Sequence, residues 1–181
     1  MKEISLNILD IAENSVKAGA TLTEITVNET DDTLTLKISD NGCGMTAQTL
    51  KAVTDPFYTT RTTRKVGMGL PLLKMEAEQT GGKFAITSKA ENEYPESHGT
   101  KVTAVFNKKH IDYTPLGDVA SSIVTLIQGH PDTDFLFTHK YGSKSVALDT
   151  RELRAVLEDV PLNSYEVLDF INNFLREEEN K

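Results

Sequence analysis

The sequence is poor in cysteine and tryptophan: its 181 residues include one cysteine, Cys43, and no tryptophan. A single cysteine excludes an intramolecular disulfide and cannot by itself build a zinc site. No stretch approaches the roughly 18 consecutive apolar residues that a membrane span needs. The N-terminus also lacks the charged and apolar regions of a signal peptide. We therefore expect a cytoplasmic protein that does not act at a membrane.

Basic residues are scarce as well, because 19 Lys and Arg stand against 27 Asp and Glu and give a net charge of −8. This balance argues against a nucleic-acid-binding protein, which gains affinity by neutralising phosphates. Residues 1–109 contain 13 basic and 14 acidic residues, a net charge of −1, whereas residues 110–181 contain 6 and 13, a net charge of −7. We therefore expect a nearly neutral domain at 1–109 and an acidic C-terminal extension at 110–181.

Hydrophobic periodicity predicts the order of secondary structure in residues 1–109. It indicates a helix at 4–17, strands at 23–29 and 33–40, a short helix at 47–53, a long polar loop, a helix at 70–79, and strands at 83–88 and 100–107. This order predicts an α+β fold, a two-layer sandwich with helices on one face of a mixed sheet. In the extension the pattern predicts helices at 118–128, 150–157 and 164–175 and a hairpin at 135–149.

Asp40 is the first residue that points to chemistry. It ends the second predicted strand and continues the inward-facing row set by three alternating aliphatic residues before it. A carboxylate in such a row needs a hydrogen-bond donor, and the glycines at positions 42 and 44 leave room for a flat ligand. An exocyclic amine such as that of adenine is a suitable donor. The alternative is that Asp40 only caps the turn at Asn41.

A polar stripe on the first predicted helix is a second candidate. The stripe opposite the apolar face consists of Asn7, Asp10, Asn14 and Lys17. Its candidate residues are Asp10, Asn14 and Lys17, and the first two are four apart, so they project from one face. An amide oxygen and a carboxylate can hold Mg²⁺ or orient a water molecule, and a lysine can reach a phosphate. The alternative is a solvated helix face.

The third candidate is the start of the helix at 70–79, which follows Gly67 and Gly69. The N–H groups at a helix start attract anions, and glycines permit close approach. The motif alone is weak. However, Arg61, Arg64 and Lys65 precede it, and a basic cluster within an acidic chain favours phosphate binding.

Taken together and in this order, these segments resemble the GHKL superfamily of ATPases, which have the Bergerat fold and include gyrase, heat-shock chaperones, histidine kinases and mismatch-repair proteins. The resemblance spans about residues 4–107. Residues 10–21 resemble the N box, 40–45 the G1 box, 55–60 the F box of histidine kinases, 67–70 the G2 box, and Gly99 with Thr100 the final strand motif.

The resemblance implies ATP and Mg²⁺ as ligands. Asn14 would coordinate Mg²⁺, Asp40 would accept a hydrogen bond from the adenine amino group, and Asp10 would occupy the position of the general base. Hydrolysing members carry the longer glutamate there. The other residues implied to contact the nucleotide are Lys17, Gly42, Gly44, Phe57, Arg61, Lys65, Gly67, Gly69, Leu70 and Thr100.

The resemblance also implies a function in signal transduction. The leading hypothesis is a freestanding relative of the histidine kinase and anti-sigma-factor kinase domains that passes the γ-phosphate of ATP to a partner protein. Lys17 and the F box favour this branch. The alternative is an ATP-hydrolysing or non-catalytic switch that regulates a partner through the loop at 55–66 or through the acidic extension.

Overall fold

The computed structural model describes residues 3–54 and 69–179 of the chain. The predicted elements within these ranges are present, with ends shifted by at most four residues. None of the helices in these two ranges has the length and apolar character of a bilayer-crossing segment. In chain order the elements are α1 (Ile4–Lys17), β1 (Leu22–Glu29), β2 (Thr33–Asp40), α2 (Ala47–Thr54), α3 (Gly69–Gln79), β3 (Lys83–Lys89), β4 (Gly99–Asn107), α4 (Val119–Gly129), β5 (Asp134–Tyr141), β6 (Lys144–Asp149), α5 (Thr150–Leu157) and α6 (Tyr165–Glu179).

The strands form one mixed sheet in the order β3-β4-β2-β1-β5-β6. Neighbouring strands are antiparallel except β1 and β5, which are parallel. Ile25 of β1 pairs with Ile38 of β2 and with Phe137 of β5, and all three are buried. Helices α1 and α3 pack over this apolar face. The predicted two-layer α+β sandwich, with helices on one face of a mixed sheet, is confirmed.

Residues 110–179 share this sheet and its core with residues 3–54 and 69–109. Strands β5 and β6 extend the sheet beyond β1, and α4 packs against α1. Ile123 of α4 belongs to the same buried cluster as Ile4 and Ile8 of α1. The division into a domain at 1–109 and an extension at 110–181 stays a prediction, and the β1–β5 pairing crosses that boundary.

Helix α1 is more deeply buried than its pattern indicates. Residue 15 is a serine in the core, Val16 is only half-buried, and Asn7 from the polar stripe is wholly buried. The physical reason is that α1 contacts α3 and α4 as well as the sheet, so its buried face is wider than one apolar stripe. Asn7 is therefore buried, although the pattern places it on the stripe opposite the apolar face.

A charged cluster joins β1 to β5 at the end of β1. The Glu29 carboxylate accepts hydrogen bonds from His139 Nε2 at 2.9 Å and from Lys108 Nζ at 2.8 Å. The Glu29 side chain is only 13% exposed. The hydrogen bond from His139, assisted by Lys108, lowers the pKa of Glu29, although burial opposes this shift. The cluster therefore stabilises the folded state when Glu29 is ionised.

Glu29→Gln is expected to lower the free energy of unfolding at pH 7 by about 1.5–3 kcal/mol, the range for hydrogen bonds to charged groups. Because the folded pKa is depressed, this stabilisation is present above the ordinary glutamate pKa of about 4.3 and is lost as the pH falls through the lower folded value. Thermal unfolding of both proteins between pH 7 and pH 3 measures the difference.

Glu24→Gln is the matched control, because Glu24 lies on the same strand but is exposed on the other face of the sheet. It should leave stability unchanged across the pH range. A constant gap between wild type and Glu29→Gln down to pH 3 would contradict the assigned role.

Candidate functional site

The Asp40 carboxylate faces the helix layer at the end of β2, as its phase predicts. Its Oδ2 accepts a hydrogen bond from Ser15 Oγ at 2.7 Å. Its Oδ1 accepts from the backbone N–H of Gly42 at 3.0 Å and of Thr100 at 3.3 Å. A carboxylate has about four acceptor positions, so these three donors leave one for a ligand. Asp40 caps the following turn, but it also contacts α1 and β4.

The ends of β3 and β4 hold the loop that follows β2. The hydroxyl groups of Ser88 and Thr100 lie 2.8 Å apart, and Ser88 Oγ donates to the Gly99 carbonyl at 3.0 Å. Ser88 Oγ also accepts from the Met45 N–H at 2.8 Å. The Thr100 hydroxyl, predicted to support adenine, is therefore oriented by a serine that also anchors the loop.

The two glycines of this loop lie against protein. Gly44 has a φ of +64°, and a Cβ there would lie 1.9 Å from the carbonyl oxygen of Lys89. A Cβ on Gly42 would lie 2.9 Å from Ala18 Cβ and 3.1 Å from Asp40 Oδ1. Their absent side chains let the loop pack against α1 and β3. Their contact with a nucleotide stays a prediction.

His98 is a neighbour that the sequence analysis missed. Its Nδ1 lies 2.6 Å from the Gly42 carbonyl oxygen, and a carbonyl only accepts, so Nδ1 carries the proton. His98 also lines a depression at this end of the sheet together with Asp40, Ser88 and Thr100. The β3–β4 connection therefore closes over the loop after β2.

The polar residues Asp10, Asn14 and Lys17 lie on the same helix as Ser15, the residue of α1 that contacts this carboxylate. Asn14 is half-buried and Asp10 is exposed. Within residues 3–54 and 69–179, the Asn14 side-chain amide makes no hydrogen bond. Lys17 is 72% exposed, and its Nζ lies 4.0 Å from Glu13 Oε2. In the described part of the chain, the stripe thus presents the Asn14 amide without a hydrogen bond and the exposed carboxylate of Asp10.

The start of α3 stands against Asp10. Gly69 is buried, and a Cβ at this position would lie 3.3 Å from Asp10 Cβ and 3.5 Å from Asp10 Oδ2. The first N–H groups of a helix have no partner within it, although Pro71 lacks one of these donors. Leu70, the next residue, is half-buried. Helix α1 thus contacts both Asp40, through Ser15, and the start of α3, through Asp10.

Other predicted site residues lie outside the described ranges. These are Phe57, Arg61, Lys65 and Gly67, and their roles stay predictions. Sequence reasoning also missed Ser15, a polar residue on the apolar stripe of α1. A polar residue in a row of apolar, core-facing residues is the signal that could have identified Ser15.

Comparison with known proteins gives a family and a fold. The family model described as "Histidine kinase-, DNA gyrase B-, and HSP90-like ATPase" matches residues 2–110. The signal transduction histidine-protein kinase AtoS of Escherichia coli is 35% identical over 88 residues, 49% of this chain and 14% of that protein. A probable C4-dicarboxylate sensor kinase of Bacillus subtilis is 31% identical over 86 residues, 48% of this chain and 15% of that protein. The chain therefore matches only about one-seventh of these relatives' length.

Among solved structures, the Aquifex aeolicus MutL ATPase domain complexed with ADP is similar in fold. It has a TM-score of 0.54 and 14% identity, and the match covers 87% of this chain and 70% of that one. The N-terminal domain of a DNA repair protein has a TM-score of 0.55 and 15% identity, with 82% and 53% covered. The likeness in fold covers more of the chain than the family model does, so it includes part of residues 110–181.

Gly44→Ala is expected to destabilise the protein by about 2–4 kcal/mol, because a left-handed φ costs an L-residue about 1–2 kcal/mol and the clash with Lys89 adds to it. Gly142→Ala is the matched control, since Gly142 has a φ of +59° and nothing within 4 Å of a Cβ. It should show the conformational cost alone. Chemical denaturation measures both, and equal losses would contradict the close packing of the loop.

Proposed function

The chain belongs to the family of histidine kinase-, DNA gyrase B- and HSP90-like ATPases, and we propose that it binds ATP with Mg²⁺ and passes the γ-phosphate to a partner protein. The observation that carries this proposal is the Asp40 carboxylate, held by three donors with one acceptor position left over. The similarity to sensor histidine kinases supports phosphotransfer as the reaction.

In this proposal Asp40 recognises the adenine base. The remaining acceptor position of its carboxylate would take a hydrogen bond from the exocyclic amino group. Because Ser15, Gly42 and Thr100 fix both carboxylate oxygens, the acceptor is pre-oriented before the nucleotide binds. Guanine carries a carbonyl oxygen where adenine has its amino group. The carboxylate would repel that oxygen, so the site should prefer ATP to GTP.

Asn14 fits the role of a Mg²⁺ ligand. Its amide is half-buried, as noted above, and Mg²⁺ prefers oxygen ligands. Residues 3–54 and 69–179 contain no group of three His, Cys, Asp or Glu side chains arranged to hold a metal. This suits an ion held by one or two side-chain oxygens together with phosphates and water, as is usual for Mg²⁺. When bound, Mg²⁺ would neutralise the charge that develops on the phosphates.

The start of α3 would bind the phosphates. Its backbone N–H groups at Gly69 and Leu70 supply donors, and the helix dipole favours an anion at this end. Lys17 is exposed and separated from Glu13 by 4.0 Å, so it can turn toward a phosphate. Arg61 and Lys65 would add positive charge in the same proposal.

A second candidate function is a nucleotide-dependent switch. Asp10 favours it, because its carboxylate is one methylene shorter than the glutamate general base that the family resemblance implies. Its Oδ2 nevertheless lies beside the start of α3, where a water molecule could be activated. In the switch, ATP would alter how the chain binds its partner without transfer of phosphate.

Asp40→Asn is expected to weaken ATP binding about tenfold or more, since a hydrogen bond to a charged acceptor contributes about 1.5–3 kcal/mol and a tenfold change equals about 1.4 kcal/mol. The variant should also lose the preference for ATP over GTP, because its amide can donate to the guanine carbonyl. Calorimetric titration with and without Mg²⁺ measures both effects.

Asp31→Asn, in the exposed β1–β2 turn, is the control and should bind as wild type does. Unchanged ATP affinity in Asp40→Asn would exclude Asp40 as the adenine acceptor. Wild-type affinity that is the same for GTP and ATP would also count against this assignment.

Asp10→Asn is expected to retain ATP binding and to slow phosphate release by about 10²–10⁴-fold if Asp10 is a general base. The measurement uses γ-labelled ATP and wild-type or variant protein, with Asp31→Asn again as control.

Incubation of wild-type protein and γ-labelled ATP with cell extract should place the label on a partner protein. Absence of label on any protein would contradict phosphotransfer, and unchanged partner regulation by Asp10→Asn would favour the switch.

A further inference from the structure

A buried polar contact joins α1 to α3 away from the nucleotide-facing residues. Asn7 Nδ2 donates a hydrogen bond to Glu76 Oε2 at 2.6 Å. Asn7 is wholly buried and Glu76 is 7% exposed. Among the described residues, Asn7 Oδ1 has no hydrogen-bond partner. Glu76 shares its buried helix face with Leu73 and Ala77, so apolar periodicity would predict an aliphatic residue at this position.

Stability alone does not account for this contact. Burial of a carboxylate and of an amide with one unpaired oxygen is costly. Well-packed aliphatic residues often replace a buried polar pair with no loss of stability or with a gain. A hydrogen bond differs from an aliphatic contact in that it requires a defined distance and direction. The Asn7–Glu76 bond therefore fixes the position of α3 along α1.

The position of α3 along α1 determines where the first turn of α3 lies. Glu76 follows Gly69 by about two helical turns, and Asn7 precedes Asp10 by about one turn on α1. Another contact between the helices joins Gly69 and Asp10, where a Cβ on Gly69 would lie 3.3 Å from Asp10 Cβ. A slide of α3 along α1 would break this contact and displace the N–H groups of the first turn.

We propose that Asn7 and Glu76 are positioning residues that hold the start of α3 where its N–H groups meet the phosphates of ATP. This inference rests on the proposed function and deepens it. It separates two parts of the site. The Asp40 part is fixed by Ser15, Gly42 and Thr100, so it does not depend on the Asn7–Glu76 bond. Loss of the bond should weaken the binding of phosphates and spare the binding of adenosine.

The first test replaces both residues by leucine in the full chain. The variant with both Asn7→Leu and Glu76→Leu should fold, which its melting temperature measures. It should weaken ATP binding about tenfold or more while adenosine affinity stays within about twofold of wild type. Calorimetric titrations with Mg²⁺-ATP and with adenosine measure the two affinities on the same sample.

The second test exchanges donor and acceptor. Asn7→Asp alone places two carboxylates face to face and should weaken ATP binding strongly at a pH at which both are ionised, where no proton is left to bridge them. Adding Glu76→Gln restores the bond, because the glutamine amide donates to the new carboxylate, and should return ATP affinity to within about threefold of wild type. This pair decides the question even if the leucine variant does not fold.

Thr80→Val is the matched control, at the residue that immediately follows α3. The Thr80 hydroxyl accepts from the Asn107 N–H at 3.1 Å and is buried, so its loss also removes a buried hydrogen bond, at the far end of the helix. It should lower the melting temperature and leave ATP affinity unchanged. A loss of ATP affinity in Thr80→Val equal to that in the leucine variant would overturn the proposal.

Three other results would overturn it. These are wild-type ATP affinity in the folded leucine variant, an equal loss of ATP and adenosine affinity in that variant, and failure of Glu76→Gln to rescue a folded Asn7→Asp protein. Failure of the wild-type chain to bind either ATP or adenosine would instead contradict the proposed function, so the two failures are distinguishable.

Discussion

The candidate site depends on the partly buried carboxylate of Asp40 and on the groups that donate hydrogen bonds to it. Asp40 lies where the inward-facing row of β2 reaches the end of the sheet, and an ionised group there must be hydrogen-bonded. Its donors come from α1, from the loop after β2 and from β4, across separations of 25 and 60 residues for Ser15 and Thr100. The carboxylate is therefore satisfied only when α1 lies on the sheet and β4 pairs with β2. The contacts that build the fold therefore also build the candidate site.

Helix α1 transmits this constraint to the rest of the site. Ser15 contacts Asp40 near one end of the helix, and Asp10 contacts the start of α3 more than one turn earlier. Asn14 lies between these contacts. Because an α-helix is rigid over such a short distance, α1 sets the spacing between the Asp40 carboxylate and the start of α3. The buried Asn7–Glu76 bond is a further contact between α1 and α3, and in our proposal it fixes the position of α3 along α1.

Local pattern was enough to predict the inward phase of Asp40 and the extent of α1, because alternation and helical periodicity report which side of an element is buried. It did not predict that Ser15, His98 and Glu76 have polar partners, because those partners are 25 to 69 residues away. Nor did it predict the burial of Asn7, which follows from the packing of two further helices around α1. The parallel pairing of β1 with β5 is likewise a long-range contact.

The uneven distribution of charge along the chain reflects the composition of the protein surface and does not mark the limits of the core. The net charge of −7 in residues 110–181 coexists with Phe135 and Phe137, which are completely buried in the shared sheet. The acidic part meets α1 through a defined contact, since His130 Nε2 lies 2.7 Å from Glu13 Oε1. The surface charge of residues 110–181, screened over about 8 Å in physiological salt, acts only at short range, whereas their apolar side chains pack into the shared core.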